Sequence, residues 1–475
     1  MEAQLTKARE AQKIWAAMPV KQRLRVLKRA RHRMAAEAEQ FIQDISPDLV
    51  RRPADTLAAE VLPVLAASEF LEREAMYILR PKHLGRRGLP LWLWGVQSEI
   101  QRVPLGVVLI IGAGNYPLLL AGSQALQGLA AGNAVVWKPG TGGRDIAVRL
   151  ARILAQAGLP DGLLVVTDES PEAAERVIAS GVDKVFFTGS AATGRIVMRQ
   201  LAETLTPSVM ELSGCDAVFA LDGADLDRVA DAVAFGVRLN GSATCMASRR
   251  LFASRATITA LLPLLKTKLR DAPEVPLSAR PRRLLDEIMA DAKAKGATIR
   301  CLEQTSDPHS KLPVTLIEGA TPDMLAMKAD IFAPVLSVCA AENEAAALAA
   351  YTQCPYALTA AVFGPERQAI ALAAKLEAGS VLVNDLIAPT VDPRVPFGGR
   401  RESGFGVTRG AEGLLEMTGV KVVLVRRGKD EHHYAQATDA HTDFFAGYIH
   451  ASHGKGFRAR WTGLVRAIKA GIRIG

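Results

Sequence analysis

The stretch GVVLIIGAGNYPLLLAGSQALQGLAAGNAVVWKPG, residues 106–140, decides the fold. No charge occurs between Arg102 and Lys138, and an unbroken apolar run of that length would cross a bilayer. Here GAGNYP at 112–117 interrupts it, and Gln124, Gln127 and Asn133 would put three amides into lipid. The better reading is a β-strand near 106–111, a turn, a buried helix near 117–130 and a second strand near 134–138.

Towards the C-terminus the alternation continues: a helix near 143–157, LLVV at 163–166, a helix near 171–180, KVFF at 184–187 and a helix near 191–203. Strands separated by helices of this length predict parallel βαβ units and a doubly wound sheet. A second α/β series starts at AVFAL (217–221) and runs to about residue 400 through VTLIE (314–318), PVLSV (334–338), LTAAVFG (358–364) and SVLVN (380–384). Before all this, the first 80 residues read as charged amphipathic helices. No internal repeat or low-complexity segment occurs.

A chain of 475 residues, 49% apolar and 23% charged, is an ordinary globular composition and implies two or three domains. Cys215, Cys245, Cys301, Cys339 and Cys354 are odd in number and widely spaced, with no CxxC pair. That argues against a disulfide framework or a zinc site, and for a reducing compartment. The N-terminus is charged and helix-forming, so no signal peptide is expected and the location is expected to be cytoplasmic. The net charge of +9 is concentrated in Lys21–Arg33 and after Phe457. Such clusters suit nucleic acid or an anionic membrane, but a solvated helix face is the preferred reading, and no nucleic acid is expected.

Cys245, in LNGSATCMAS, is flanked by small residues that leave room for a substrate; as a thiolate it would be a nucleophile, otherwise a small buried hydrophobe. Glu211 ends the apolar strand SVMEL, where a carboxylate is either paired or held for proton transfer. Asn115 lies in the turn between a strand and a helix, placed to donate to an oxyanion or simply to cap the helix. FFTGSAATGR, with Gly189, Ser190 and Gly194, reads as a strand, a turn and a helix N-terminus suited to phosphate, although its glycine spacing is not GxGxxG. Lys138 closes a strand, within reach of a ribose or of solvent.

Taken together, GVVLIIGAGNYPLLL, AAGNAVVWKPG, FFTGSAATG, VMELSG and NGSATC resemble, in order and spacing, the motifs of the aldehyde dehydrogenase superfamily, with local similarity to its fatty and aromatic aldehyde branch. DIFAPVLSV, YALTAAVFG, GSVLVND and VPFGGRRESGFG are similar to its later motifs. The resemblance implies an α/β fold with a Rossmann-type cofactor domain (1–85 and 102–211), a catalytic domain (212–404), bridging strands (86–101 and 405–425) and a basic tail (426–475). It implies oxidation of an aldehyde to the acid with NAD or NADP, through a thiohemiacetal on Cys245 and a thioester hydrolysed with Glu211 as base, Asn115 stabilising the oxyanion. Lys138, Gly189, Ser190, Gly194, Asp330 and Phe332 become the cofactor contacts, no metal is required, and a homodimer or homotetramer is expected.

The sequence also departs from the family pattern. Thr141 replaces the ribose-binding glutamate, which opens NADP as well as NAD. Asp330 and Ala333 stand for glutamate and glycine, Ser242 and Ala243 for a Gly-Gln pair, and Ser213 and Cys215 for glycine and lysine. Gly114 stands where relatives often carry tryptophan, which suggests a wide tunnel for a bulky or long-chain aldehyde. The rivals are a CoA-acylating dehydrogenase or acyl reductase, which Glu211 opposes, and a non-catalytic nucleic-acid- or membrane-binding protein on the same fold. In residues 457–475, Trp461, Leu464, Val465, Ile468 and Ile472 form a stripe opposite Arg466, Lys469 and Arg473, suited to an anionic membrane surface or to packing on the protein. His432, His433, His441, His450 and His453 show no ligand spacing and read as surface residues.

Overall fold

The computed structural model describes residues 1–47, 49, 51–90, 93–270, 272, 274–276, 279–302, 311–427, 434 and 436–474; His432 and His433 lie outside them. The chain forms two compact units, Met1–Lys82 with Ile100–Lys421 and His83–Glu99 with Val422–Gly475.

The larger unit opens with helices α1 (Glu2–Ala17), α2 (Val20–Ala36) and α3 (Leu62–Ile78). Leu24, Leu27, Ala30 and Met34 bury one face of α2. Its basic cluster largely keeps the expected solvated face, with Lys21, Arg25, Lys28, Arg29 and Arg33 exposed. Arg31 pairs with Glu72 at 2.6 Å, Arg29 Nε donates to the Ala157 carbonyl at 2.8 Å, and Arg23 is buried. These three side chains also reach acceptors of the fold, while most of the positive charge faces solvent.

The charge-free stretch folds as β1 (Val107–Ile111), α4 (Leu119–Ala131) and β2 (Ala134–Lys138). All of α4 except Leu120 is buried, and glycine lets it lie close to the sheet: a Cβ at Gly128 would sit 3.0 Å from Val135. The helix ends at Gly132, whose φ of 100° suits only glycine. Among the described residues no helix is long and apolar enough to cross a membrane. Then come α5 (Arg144–Gln156), β3 (Leu164–Val166), α6 (Pro171–Ala179), β4 (Lys184–Gly189), α7 (Ala191–Thr204) and β5 (Ser208–Leu212). The sheet order is Gly404–Phe405, β5, β4, β1, β2, β3; all neighbours are parallel except Gly404–Phe405, which runs antiparallel to β5 with Gly404 opposite Glu211. Strand order reverses between β1 and β4, and in such sheets the ligand crevice opens at the carboxyl ends of the strands at that point.

The second series gives β6 (Asp216–Ala220), α8 (Leu226–Arg238), β7 (Ser248–Ala253), α9 (Arg255–Leu269), α10 (Ala279–Ala294), β8 (Thr298–Cys301), β9 (Thr315–Glu318), β10 (Val335–Ala340), β11 (Thr359–Phe363) and β12 (Ser380–Val383). Their order is β8, β9, β10, β7, β6, β11, β12, parallel except at β8. Alternate residues of β6 enter different cores, Ala217 and Phe219 on one side, Val218 and Ala220 on the other. A sheet covered on both faces requires such doubly apolar strands.

A three-stranded sheet is ordered Lys82–Leu84, Val96–Pro104, Thr418–Arg426, and the smaller unit holds a hairpin of helices Asp439–His453 and Phe457–Ile474. Small residues close the hairpin: a Cβ at Gly447 would come within 2.4 Å of the Ala467 nitrogen, and one at Gly463 within 2.4 Å of the Ala451 nitrogen. Arg466 and Arg473 both reach Asp443, each at 2.7 Å. The expected stripe is altered in one respect. Gly463, Ala467 and Ala470 face the partner helix, while Phe457, Trp461, Leu464, Ile468 and Ile472 are exposed.

Candidate active site

At the carboxyl ends of β1, β4 and β5 lies a cavity of about 920 Å³. Asn115 lines it from the turn after β1, Gly189 and Ser190 from the end of β4, and Glu211 and Ser213 from the end of β5. Cys245 enters from the loop between α8 and β7, and Asp330 and Phe332 from the segment before β10. Lys138 and Gly194, the other two expected cofactor residues, do not line this cavity directly. Lys138 is buried at the end of β2 facing Glu169 and Asp168. Gly194 sits inside α7, where a Cβ would lie 2.9 Å from the Leu212 side chain, so helix–strand packing accounts for it. Gly114 does line the cavity, but its Cβ would meet the Thr141 carbonyl at 2.7 Å. Close backbone approach explains that glycine without a wide tunnel.

A buried ion pair organises the Asn115 turn. Arg51 Nη1 meets Glu60 Oε1 at 2.6 Å, and Glu60 Oε2 accepts from the nitrogens of Leu118 and Leu119 at 3.2 and 2.6 Å, at the start of α4. The same guanidinium donates to Asn240 Oδ1 at 2.5 Å and to the Asn115 carbonyl, and lies 4.6 Å from the centre of the Tyr116 ring. Asn115 and Asn240 each donate an Nδ2 proton to the Ala243 carbonyl at 3.0 Å, two residues before the thiol. An amide nitrogen carries two protons, so Asn115 keeps one for another acceptor.

The loop before Cys245 is left-handed: Asn240, Gly241 and Ser242 have φ of 54°, 57° and 63°. Arg249, buried on β7, holds it there, donating to Ser242 Oγ at 2.8 Å and to the Ser242 carbonyl at 2.6 Å. Burial pushes the Cys245 thiol up, helped by the carboxylates of Glu211, Asp216 and Asp330 and opposed by Arg409. Burial also pushes Glu211 up, opposed by Arg409 and by Thr408, whose Oγ1 donates to Glu211 Oε2 at 3.1 Å. Glu211 Oε1 is buried without a hydrogen-bond partner. Arg409 lies 4.5 Å from the centre of the Phe397 ring and donates to the Thr390 carbonyl at 2.7 Å. Burial therefore favours the protonated form of both the thiol and the carboxyl.

Arg51, Glu60, Arg249, Thr408 and Arg409 were not singled out from the sequence. For Arg249 a signal existed: SRRLFA is a wholly buried strand carrying two arginines, and buried charges need partners.

The aldehyde dehydrogenase family model matches residues 1–423. The chain belongs to the aldehyde dehydrogenase family. A curated relative, 4,4'-diapolycopene aldehyde oxidase of Methylomonas sp, is 30% identical over 433 residues, covering 88% of this chain and 80% of the relative. An aldehyde dehydrogenase of Mycobacterium tuberculosis complexed with NAD+ superposes with a TM-score of 0.82 at 26% identity, covering 90% of each chain. The NADP-dependent glyceraldehyde-3-phosphate dehydrogenase of Bacillus halodurans C-125, complexed with NADP, gives 0.82 at 27% identity over 89% of this chain and 90% of that one. In this aldehyde dehydrogenase the departures Ser213 and Asp330 meet, the Ser213 hydroxyl bonding the Asp330 carboxyl. The helical hairpin lies beyond the matched residues.

Proposed function

We propose that this chain oxidises an aldehyde to its carboxylic acid with NAD or NADP. The observation that carries the reading is one cavity lined by Cys245, Glu211 and Asn115 together with Gly189, Ser190, Asp330 and Phe332. The cavity fits an elongated dinucleotide. It extends from Thr141 past the N-terminus of α7, where a Cβ at Gly189 would collide with the Phe187 ring at 2.6 Å, to Asp330 and the thiol. When bound, the nicotinamide ring accepts the hydride.

The chain's own residues do the rest. Glu211 Oε1, buried without a partner, takes the thiol proton, and the Cys245 sulfur adds to the aldehyde carbon. The resulting oxyanion is held by the free Nδ2 proton of Asn115 and the Cys245 backbone N–H. After hydride loss Glu211 passes the thiol proton to solvent, and the ionised carboxylate then takes a proton from the water that attacks the thioester, releasing the carboxylic acid and the Cys245 thiolate. That carboxyl in the cavity supports hydrolysis over transfer to CoA. Leu49, Leu120, Leu284 and Ile331 give the cavity an apolar lining suited to a bulky or long-chain aldehyde. Residues 1–85 with 102–211 act as the cofactor domain and 212–404 as the catalytic domain, bridged by 86–101 and 405–425. The exposed alternate residues Val420, Val422 and Leu424 support strand pairing in a homodimer or homotetramer, measurable by light scattering.

An aldehyde panel run with NAD and NADP, with and without CoA, tests the activity. Acid should form in step with reduced cofactor and vanish in Cys245→Ser; acyl-CoA as the only product, or no turnover, would refute it. Residues 457–475 are proposed to hold this cytoplasmic enzyme on an anionic membrane, because the exposed apolar stripe is flanked by Arg458 and Lys469 with no acid in the segment. Deleting 457–475 should abolish flotation with anionic liposomes; unchanged flotation removes that part of the reading.

A further inference from the structure

We propose that Arg249 is a positioning residue that ties the nucleophile loop to the cofactor-facing segment Asp330–Phe332, so that cofactor binding sets the reactivity of the Cys245 thiol. The proposal rests on the reading of Cys245 and of that segment given above. One guanidinium bonds both: Nη1 to Ser242 Oγ at 2.8 Å and to the Ala333 carbonyl at 2.5 Å, and Nη2 to the Ser242 carbonyl at 2.6 Å. Ser242 Oγ donates in turn to the Ala333 carbonyl at 3.0 Å. Two departures from the family pattern, Ser242 and Ala333, thus meet at Arg249, and a second pair, Ser213 and Asp330, joins the same segment to the end of β5. Ala333 directly follows Phe332, which lines the cavity, and Ser242 lies three residues before the thiol.

The geometry favours transmission over mere stability. Ser242 is held at φ 63°, a left-handed conformation that strains an L-residue, so the loop keeps it only while anchored. A shift of Asp330–Phe332 against a bound ribose or nicotinamide moves the Ala333 carbonyl, and the guanidinium passes that movement to the backbone of Ser242. Arg249 is 4% exposed, so water does not compete for these bonds.

The test follows alkylation of Cys245 by iodoacetamide, read on its own peptide by mass spectrometry, with and without saturating NAD+ or NADP+. In the parent enzyme either cofactor should change the rate by about fivefold or more. In Arg249→Gln the change should fall below about twofold while cofactor still binds by calorimetry, and Arg249→Lys, which keeps the charge, should retain part of it. Ser242→Gly is the second variant, because φ 63° suits glycine and the fold should survive the loss of the hydroxyl; its response should also be reduced. A full cofactor response in Arg249→Gln or, if that protein does not fold, in Ser242→Gly overturns the proposal. A parent enzyme that binds neither cofactor, or whose Cys245 never reacts, overturns the functional reading and this proposal with it.

Discussion

Thr408 Oγ1 donates to Glu211 Oε2 at 3.1 Å, while the other Glu211 oxygen is buried without a partner. One oxygen is anchored and one is left to react. The bond favours the ionised form, so Thr408→Val should raise the proton affinity of Glu211 further. Rate is lost as pH falls through the Glu211 titration. In the variant that fall should begin at higher pH, with about a tenfold deficit on the acid side and an unchanged plateau on the alkaline side. Steady-state kcat against pH for the two proteins decides this; superimposable profiles would show that the hydroxyl does not tune the base.

The Arg51–Glu60 pair is buried on both sides, with side-chain exposures of 2% and 0%. Removing one partner strands the other charge, at a cost of about 3–5 kcal/mol for Arg51→Met or Glu60→Gln. The double variant should lose clearly less than the sum. Urea unfolding of the three variants gives the coupling, and strict additivity would mean the pair is not a unit.

Glu169 accepts from the nitrogens of Gly142 and Arg144 at 2.9 and 2.8 Å, beside the Thr141 that replaces the family's ribose glutamate. Its charge faces the Lys138 ammonium and would oppose a ribose phosphate bound there, as the proposed cofactor role of Lys138 requires. Glu169→Gln should therefore shift the ratio of kcat/KM for NADP over NAD upward by about tenfold. A constant ratio would place the phosphate out of its range.

Asp216 is buried and accepts from Thr359 Oγ1 at 2.5 Å and from its nitrogen at 3.1 Å, yet desolvation still pushes it up to about 7. An unfolded aspartate titrates near 3.9. The stability linked to the raised value is complete below that unfolded value and is lost as pH rises through about 7, at about 1.4 kcal/mol per pH unit. Asp216→Asn should leave Tm nearly unchanged at acid pH and raise it above the parent at pH values past neutrality. Parallel Tm curves would count against a protonated Asp216.

Local periodicity made much of this legible. The interruptions at Gly112–Pro117 and the amides of Gln124, Gln127 and Asn133 separated a strand and a buried helix from a membrane span, and the folded chain has β1, α4 and β2 there. Motif order brought Asn115, Glu211 and Cys245 to notice, and the three line one cavity. What stayed hidden depends on contacts between residues far apart in sequence. Arg51 and Asn240 are 189 residues apart, and Thr408 and Glu211 are 197 apart. No periodicity encodes such meetings. The tail was half legible: the apolar stripe of Phe457–Ile474 could be read, but its partner helix is signalled only by Gly447, Gly463 and Ala467, small residues whose use is to let backbones touch.

Asn240, Gly241 and Ser242, a few residues before the nucleophile, wind with the opposite hand to a right-handed helix, with φ between 54° and 63°. Chirality is locally inverted there. A mirror-image amino acid should fit where its natural counterpart is strained, so D-alanine introduced at 241 by chemical ligation would rigidify the approach to the thiol, while L-alanine at the same position would loosen it.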